Sequence, residues 1–323
     1  AGVPASWSYI SETSTSTKRA SNIGISQFAW SCGPAIIFIL SLVMSFIIPG
    51  FESDGTTLLP AGTYGPFDGM LATRLLFLVL FIVALIAWNL QRQLQESADW
   101  AEKNAAATEK QSFGKMMATA LKNPVNVKTI IFLVAVYLTW TLAAGTNGQF
   151  MPYLYAAAGN IDATGQSLLG VVQWVLVAVC SLAIFSRFGD IVSHRVLFGA
   201  SALLALLSWV AIAVFGLAIQ SGDTESMGWV LWVYVILWGI SAGFSAQCFY
   251  ALWGTELFPT QYRGGAQGIM FFLVRGALGI WSLVGVGAIM GDISTNPAGF
   301  FPAAVIMCVV LLISLVVGVI WCP

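Results

Sequence analysis

Eight long apolar runs constrain this chain more than any other feature of its sequence. Each run holds about 20 or more mostly apolar residues, which is the length that an α-helix needs to cross roughly 30 Å of hydrocarbon. The strands of a membrane β-barrel need only about 9–11 residues, so runs of this length predict helices. The predicted spans are residues 27–49, 70–91, 129–157, 167–186, 196–219, 228–254, 265–290 and 299–321.

The composition agrees with this interpretation. The chain has 323 residues, of which 58% are hydrophobic and 8% are charged. Soluble domains are about 45–50% apolar and about a quarter charged. The sequence therefore predicts an all-α polytopic membrane protein. Its net charge of −1 gives no reason to expect a nucleic-acid partner.

The basic residues fall on alternate connections between the predicted spans. If the N-terminal tail is cytoplasmic, all 13 lysines and arginines except Arg74 and Arg275 lie in cytoplasmic connections. The positive-inside rule then places the loops at 10–20, 92–128, 187–195 and 255–264 in the cytoplasm. We expect a multi-pass protein of the plasma (cytoplasmic) membrane.

A charged element occurs twice in this poorly charged chain. Glu12 and Arg19 are seven residues apart, and Glu256 and Arg263 have the same spacing. Both copies lie beside an apolar run, on the side predicted to be cytoplasmic. Parallel internal repeats are typical of secondary transporters, whose substrate site lies between the two repeats. Ion pairs between the copies would hold one side closed, although charges at these places could also only anchor helices at the interface.

Four short motifs occur in order along the chain. Their residues are Pro4, Tyr9, Glu12 and Arg19, then Glu96, Ser97 and Trp100, then Asp190 and Arg195, and finally Glu256, Phe258, Pro259, Arg263 and Gly264. One motif alone would be a weak signal, but together and in this order they resemble the sugar porter family of the major facilitator superfamily. The string "LWGTELFPTQYRGGAQGIMFFLVR" looks most like bacterial members that carry inositol or related polyols.

The resemblance implies a twelve-helix fold made of two bundles. The chain looks N-terminally truncated, starting at the end of the fourth helix, so that its eight complete spans would be helices 5–12. We expect residues 1–91 to belong to the N-terminal bundle, 92–128 to form a cytoplasmic helical linker and 129–323 to form the C-terminal six-helix bundle. The resemblance also implies a cytoplasmic charge network that opens and closes one side of the site. Its members would be Glu12, Arg19, Glu96, Asp190, Arg195, Glu256 and Arg263.

Polar residues inside the predicted spans are the candidates for binding substrate, because polar groups at membrane depth usually face the bundle interior. Gln27 and Asn147 match sugar-contacting positions of the family, whereas Thr141 and Leu142 replace its paired glutamines. Arg275 lies about 18 Å into its helix from Arg263, close to the bilayer centre. It could contact several hydroxyls or a carboxylate, or make a structural hydrogen bond to carbonyls or Gln173. The expected substrate residues are Gln27, Asn147, Gln149, Tyr153, Trp253 and Arg275.

The predicted function is secondary-active transport of a small neutral sugar or polyol by alternating access, with proton symport and a monomeric state. Two alternatives on the same fold are an organic-anion transporter and a non-transporting nutrient sensor. We do not expect an enzyme, a metal site or a cofactor, because no Ser/His/Asp set, no metal-ligand cluster and no phosphate-binding glycine loop can be assembled. The five cysteines have no spacing typical of disulfides or metal ligands.

Overall fold

The computed structural model describes residues 2–48, 71–93, 113–157, 161, 163–222, 227–291 and 297–322. Within these ranges the regular structure is helical. The helices are α1 (Gly2–Thr13), α2 (Arg19–Ile47), α3 (Leu71–Gln91), α4 (Phe113–Lys122), α5 (Pro124–Ala157), α6 (Ala163–Cys180), α7 (Ser186–Phe188), α8 (His194–Ser221), α9 (Trp229–Gly243), α10 (Ala246–Glu256), α11 (Thr260–Ile280), α12 (Val286–Met290) and α13 (Phe300–Ile320). We call α1–α3 the N-terminal segment and α4–α13 the C-terminal segment.

Eight candidate spans are found in the described ranges by length and apolar composition. They coincide with the eight spans predicted from the sequence, so the prediction of an all-α polytopic membrane protein is confirmed. The edges differ by several residues. Helix α2, which forms the first span, begins at Arg19 rather than at residue 27, because its polar first turns extend the helix beyond the apolar run.

One predicted span is interrupted. Residues 228–254 form two helices, α9 and α10, which are separated at Phe244 and Ser245. Ser245 caps the second helix, since its side chain accepts a hydrogen bond from the backbone N–H of Gln247 at 3.3 Å. The apolar pattern does not show this break, because hydrophobicity continues through it.

Another expected break does not occur. The sequence around Pro152 predicts a helix that bends or loosens, yet α5 is continuous from Pro124 to Ala157. Pro152 lies only five residues before the end of α5, where the loss of one backbone hydrogen bond interrupts little of the helix. Short π-helical turns instead follow α6 at Ser181–Phe185 and α11 at Trp281–Gly285.

The core lies in the C-terminal segment, where α8 packs against α9 and α13 and where α6 packs against α9. Large aromatic side chains fill it, and Trp209, Tyr234 and Trp238 make mutual ring contacts. Helix α2 of the N-terminal segment packs along α6 and its π-helical turn. This contact brings the two segments together and positions the charged motifs.

Candidate functional site

The two copies of the Glu/Arg element are paired with each other across the segments. Arg19 Nη1 lies 3.4 Å from Glu256 Oε1, and Arg263 Nη1 lies 3.6 Å from Glu12 Oε1. The acid of each copy therefore meets the arginine of the other copy. We call the end of the helix bundle that carries these four residues the charged end.

The two ion pairs differ in their exposure to solvent. The side chains of Arg19 and Glu256 are 23% and 32% exposed, whereas those of Arg263 and Glu12 are 11% and 9% exposed. Electrostatic attraction is screened less when a pair is buried. The attraction between Glu12 and Arg263 is therefore screened less than that between Arg19 and Glu256.

Asp190 makes a third contact across the segments by capping the start of α2. Its Oδ1 accepts a hydrogen bond from the backbone N–H of Ala20 at 3.0 Å, and its Oδ2 accepts one from Ser21 at 2.8 Å. Both donors lie in the first turn of α2, where backbone N–H groups have no partner within the helix. A carboxylate there is also stabilised by the helix dipole.

A glycine allows close approach of the backbones just beyond this cap. A Cβ atom added to Gly24 of α2 would lie 2.7 Å from the backbone nitrogen and 2.8 Å from the Cα of Ser186. These distances are shorter than real Cβ contacts, so only glycine fits without a shift. The side chains of Ser21 and Ser186 also meet, with 3.1 Å between their hydroxyl oxygens.

Arg195 and His194 lie at the start of α8, beside the Asp190 loop. Arg195 is exposed and borders a cleft of about 630 Å³ that Asp190, His194 and Cys322 also line. Burial raises the pKa of the Cys322 thiol, and the charge of Arg195 acts against this rise.

Of the seven residues expected to form the cytoplasmic charge network, Glu96 lies outside the described residues.

His194 links the Asp190 loop to α10. The sequence places it in a loop, but it is the first residue of α8. Trp253 Nε1 donates a hydrogen bond to His194 Nδ1 at 3.1 Å, and His194 Nε2 lies 3.2 Å from the carbonyl oxygen of Gly189. A ring nitrogen that accepts cannot carry a proton, so this arrangement fits the neutral imidazole with its hydrogen on Nε2.

Trp253 has the environment of a packing residue. Its side chain is 1% exposed. Its ring lies 5.0 Å from that of Phe249 and 5.5 Å from that of Phe132, measured between centroids. Its single N–H is already bonded to His194. These contacts place Trp253 in the packed core; that it contacts substrate stays a prediction.

Gln27 is buried where α2 meets α10. Its Oε1 accepts a hydrogen bond from Gln247 Nε2 at 3.2 Å, and the two residues are 4% and 2% exposed. Gln247 is absent from the residues expected from the sequence. The available signal was a glutamine between small residues in an apolar run, "SAGFSAQCF", but this does not show which way the side chain points.

Asn147 and Arg275 take part in two further polar contacts inside the bundle. Asn147 Oδ1 accepts a hydrogen bond from the Tyr234 hydroxyl at 2.5 Å. Arg275 Nη2 donates to the Tyr137 hydroxyl at 3.2 Å, and its guanidinium lies 5.0 Å from the centre of the Phe271 ring. The alternative partner expected for Arg275, Gln173, is thus replaced by Tyr137.

The comparisons with known proteins bear on this arrangement. No family model matches the chain. The chain is 32% identical over 328 residues to the minor myo-inositol transporter IolF of Bacillus subtilis (strain 168). The alignment covers 100% of this chain and 66% of that relative, so the chain spans slightly less than two thirds of the relative's length. This similarity agrees with the resemblance of the motifs to the sugar porter family of the major facilitator superfamily.

Two expected substrate residues, Gln149 and Tyr153, lie on a different face of α5 from Asn147. Gln149 and Tyr153 are exposed, whereas Asn147 is buried. At 3.6 residues per turn, Gln149 and Tyr153 are rotated by about 200° and 240° from Asn147. The three side chains therefore do not converge on one site in this structure. That Gln149 and Tyr153 contact substrate stays a prediction.

The relative is named a transporter, and this agrees with the prediction that the chain is not an enzyme. Within the described ranges, no group of three or more histidine, cysteine or acidic residues could hold a metal ion. The eight candidate spans found in the described ranges make the chain a multi-pass membrane protein.

Proposed function

We propose that this protein is a sugar porter and transports a small neutral polyol of the inositol class by alternating access. The reciprocal pairing of the two Glu/Arg elements carries the proposal, because it joins two equivalent ends across the segments. The buried pair of Gln27 and Gln247 supports it, since amides suit a neutral, hydroxyl-rich cargo. The similarity to a myo-inositol transporter points to the same class of substrate.

The contacts at the charged end would work as a gate in this proposal. The ion pairs and the Asp190 cap hold that end closed, so the site opens at the other end. They break when the segments rock apart, and they form again on return. A gate of this kind needs its two states to differ by only a few kcal/mol, which a few partly exposed polar contacts can supply.

The charged end faces the cytoplasm of the plasma membrane in this proposal. The distribution of basic residues along the sequence supports that orientation. We also propose proton symport and a monomeric transporter. A proton would drive accumulation of substrate against its gradient, which an inward pH gradient can reveal in vesicles.

A second candidate function is transport of an organic anion, and Arg275 favours it. Arg275 lies near the middle of the span Arg263–Met290, and within the described ranges no carboxylate pairs with it. A charge at membrane depth needs a partner or a wet cavity. A carboxylate on the substrate would supply that partner.

Uptake into proteoliposomes tests these proposals. We would measure uptake of labelled myo-inositol with and without an inward proton gradient, and repeat it for Gln27→Ala and Arg275→Leu. The leading proposal expects saturable uptake that the gradient stimulates and that both substitutions reduce. If uptake occurs but the proton gradient does not stimulate it, proton symport is rejected and polyol transport stands.

The same vesicles separate the two cargo classes. If myo-inositol is not taken up while a labelled sugar acid is, and if Arg275→Leu abolishes that uptake, the anion proposal replaces the polyol one. Lys122→Gln is a suitable control, because Lys122 is an exposed charged residue at the end of α4 and belongs to neither the proposed site nor the gate.

A further inference from the structure

The contact between Gln27 and Gln247 joins two amides from different segments. Gln27 lies in α2, whose start is held by the Asp190 cap, and Gln247 lies in the first turn of α10, directly after the break at Phe244 and Ser245. Both residues are almost fully buried. A polar pair at this place is costly unless its groups find partners.

The pair leaves hydrogen-bonding capacity unused. A carboxamide offers two N–H donors and an oxygen with two lone pairs. One N–H of Gln247 and one lone pair of Gln27 are used in their mutual bond. Within the described residues, Gln27 Nε2 and Gln247 Oε1 make no hydrogen bond, and neither is among the fully enclosed side-chain atoms that lack one. Both atoms therefore border space that water or a ligand can enter.

The break between α9 and α10 fixes where Gln247 points. Ser245 holds the backbone N–H of Gln247, and Cys248 Sγ lies 3.6 Å from the carbonyl oxygen of Gly243 on the other side of the break. The amide therefore projects from a fixed first turn of α10. Because a continuous helix would place residue 247 differently, the break has a role in forming this contact.

The unused atoms match the chemistry of neighbouring hydroxyls. The pair presents a donor, Gln27 Nε2, beside an acceptor, Gln247 Oε1, and each hydroxyl of a diol can both accept and donate. A carboxylate only accepts, so Gln247 Oε1 would repel it. Neither amide carries a charge that would attract an ion.

We propose that Gln247 is a specificity-determining residue that binds a vicinal diol of the substrate together with Gln27. The amide–amide bond is the substrate-free form of this site, and substrate hydroxyls replace it. The diol then bridges the two segments at the place where the amides bridged them before. This inference rests on the proposed polyol transport, and it adds a residue and a substrate feature to it.

Selectivity among analogues tests the proposal. Uptake of myo-inositol would be compared with uptake of mono-deoxyinositols, each lacking one hydroxyl, in the wild type, Gln247→Ala and Gln27→Ala. In the wild type, removal of one particular hydroxyl should raise KM by up to about ten-fold, as expected for a neutral hydrogen bond. In Gln247→Ala, KM for myo-inositol should rise by a similar factor and the penalty at that hydroxyl should disappear.

A matched variant and an isosteric variant complete the experiment. Gln173→Ala removes another buried amide of the C-terminal segment and should leave the ratio between inositol and its deoxy analogues unchanged. If Gln247→Ala does not yield folded protein, Gln247→Met keeps nearly the same side-chain length and lacks the acceptor oxygen, so it should also remove the penalty at that hydroxyl.

The outcomes separate this inference from the proposed function. If the wild type takes up myo-inositol but the Gln247 variants keep the wild-type deoxy penalties, the inference is overturned and polyol transport stands. If the wild type takes up no polyol, both the proposed polyol transport and this inference are overturned. Loss of one specific penalty in the Gln247 variants alone supports the inference, because a residue that only stabilised the fold would weaken all analogues equally.

Discussion

At the scale of single residues, burial separates the two ion pairs that join the segments. Removing one partner of a buried pair costs about 3–5 kcal/mol, whereas an exposed pair contributes about 0–1 kcal/mol. We therefore expect Glu12→Gln to open the charged end more than Glu256→Gln does. Ser11 is 1% exposed beside Glu12, so a cysteine at this position reports opening by its rate of maleimide labelling.

This rate should rise by about ten-fold or more in Glu12→Gln and by less than about five-fold in Glu256→Gln. The measurement uses a background in which the native cysteines are replaced and uptake is retained. The exchanged pair, Glu12→Arg with Arg263→Glu, should restore slow labelling. Faster labelling in Glu256→Gln than in Glu12→Gln would show that burial does not rank the two pairs.

At the scale of elements, the start of α2 depends on a carboxylate from the other segment. Replacing a capping residue with alanine costs about 0.5–2 kcal/mol. We expect Asp190→Ala to weaken closure of the charged end and to raise labelling of Ser11→Cys. Closure should weaken more in Asp190→Ala than in Asp190→Asn, because asparagine keeps one acceptor oxygen for the cap.

Ser193→Ala provides the control for this prediction. Ser193 caps α8 by accepting a hydrogen bond from the backbone N–H of Val196 at 3.4 Å, within the same segment and only three residues from Asp190. Its loss should lower the melting temperature without changing the labelling rate of Ser11→Cys. Equal labelling of the Asp190 and Ser193 variants would mean that the cap across the segments does not contribute to closure.

The element scale also shows what the sequence could predict. All eight spans follow from apolar runs, because membrane helices must keep about 20 apolar residues together. The break between α9 and α10 does not follow, since mostly apolar residues continue on both sides of Phe244 and Ser245. Pro152 leaves α5 continuous, because a proline near the end of a helix removes little structure.

The candidate site also has features that the sequence predicts and features that it does not. The seven-residue spacing predicts that Glu12, Arg19, Glu256 and Arg263 form one charged end, but it does not determine which acid meets which arginine. That choice depends on how the segments pack. Gln27 could be named from the resemblance, whereas Gln247 could not, because its role requires the direction given by the break before α10.

At the scale of the whole molecule, the two segments can close only because their backbones approach each other at Gly24. A Cβ at this residue would overlap the backbone of Ser186, and backbone atoms cannot move aside as a flexible side chain can. In the second copy of the element, Gly268 follows Arg263 by five residues, as Gly24 follows Arg19. A Cβ added at Gly268 would meet nothing within 4 Å among the described residues. The contact is therefore specific to the first copy.

The substitution Gly24→Ala should keep the segments apart at the charged end. In a helix interior alanine is more favourable than glycine by about 1 kcal/mol, so the substitution should not destabilise α2 itself. Gly33→Ala is the matched control, because a Cβ at Gly33 of the same helix meets nothing within 4 Å. We expect Gly24→Ala to label rapidly at Ser11→Cys and to lose most uptake, while Gly33→Ala keeps both properties. Normal uptake and slow labelling in Gly24→Ala would mean that closure does not require this backbone contact, and the gate would then depend on the ion pairs and the Asp190 cap alone.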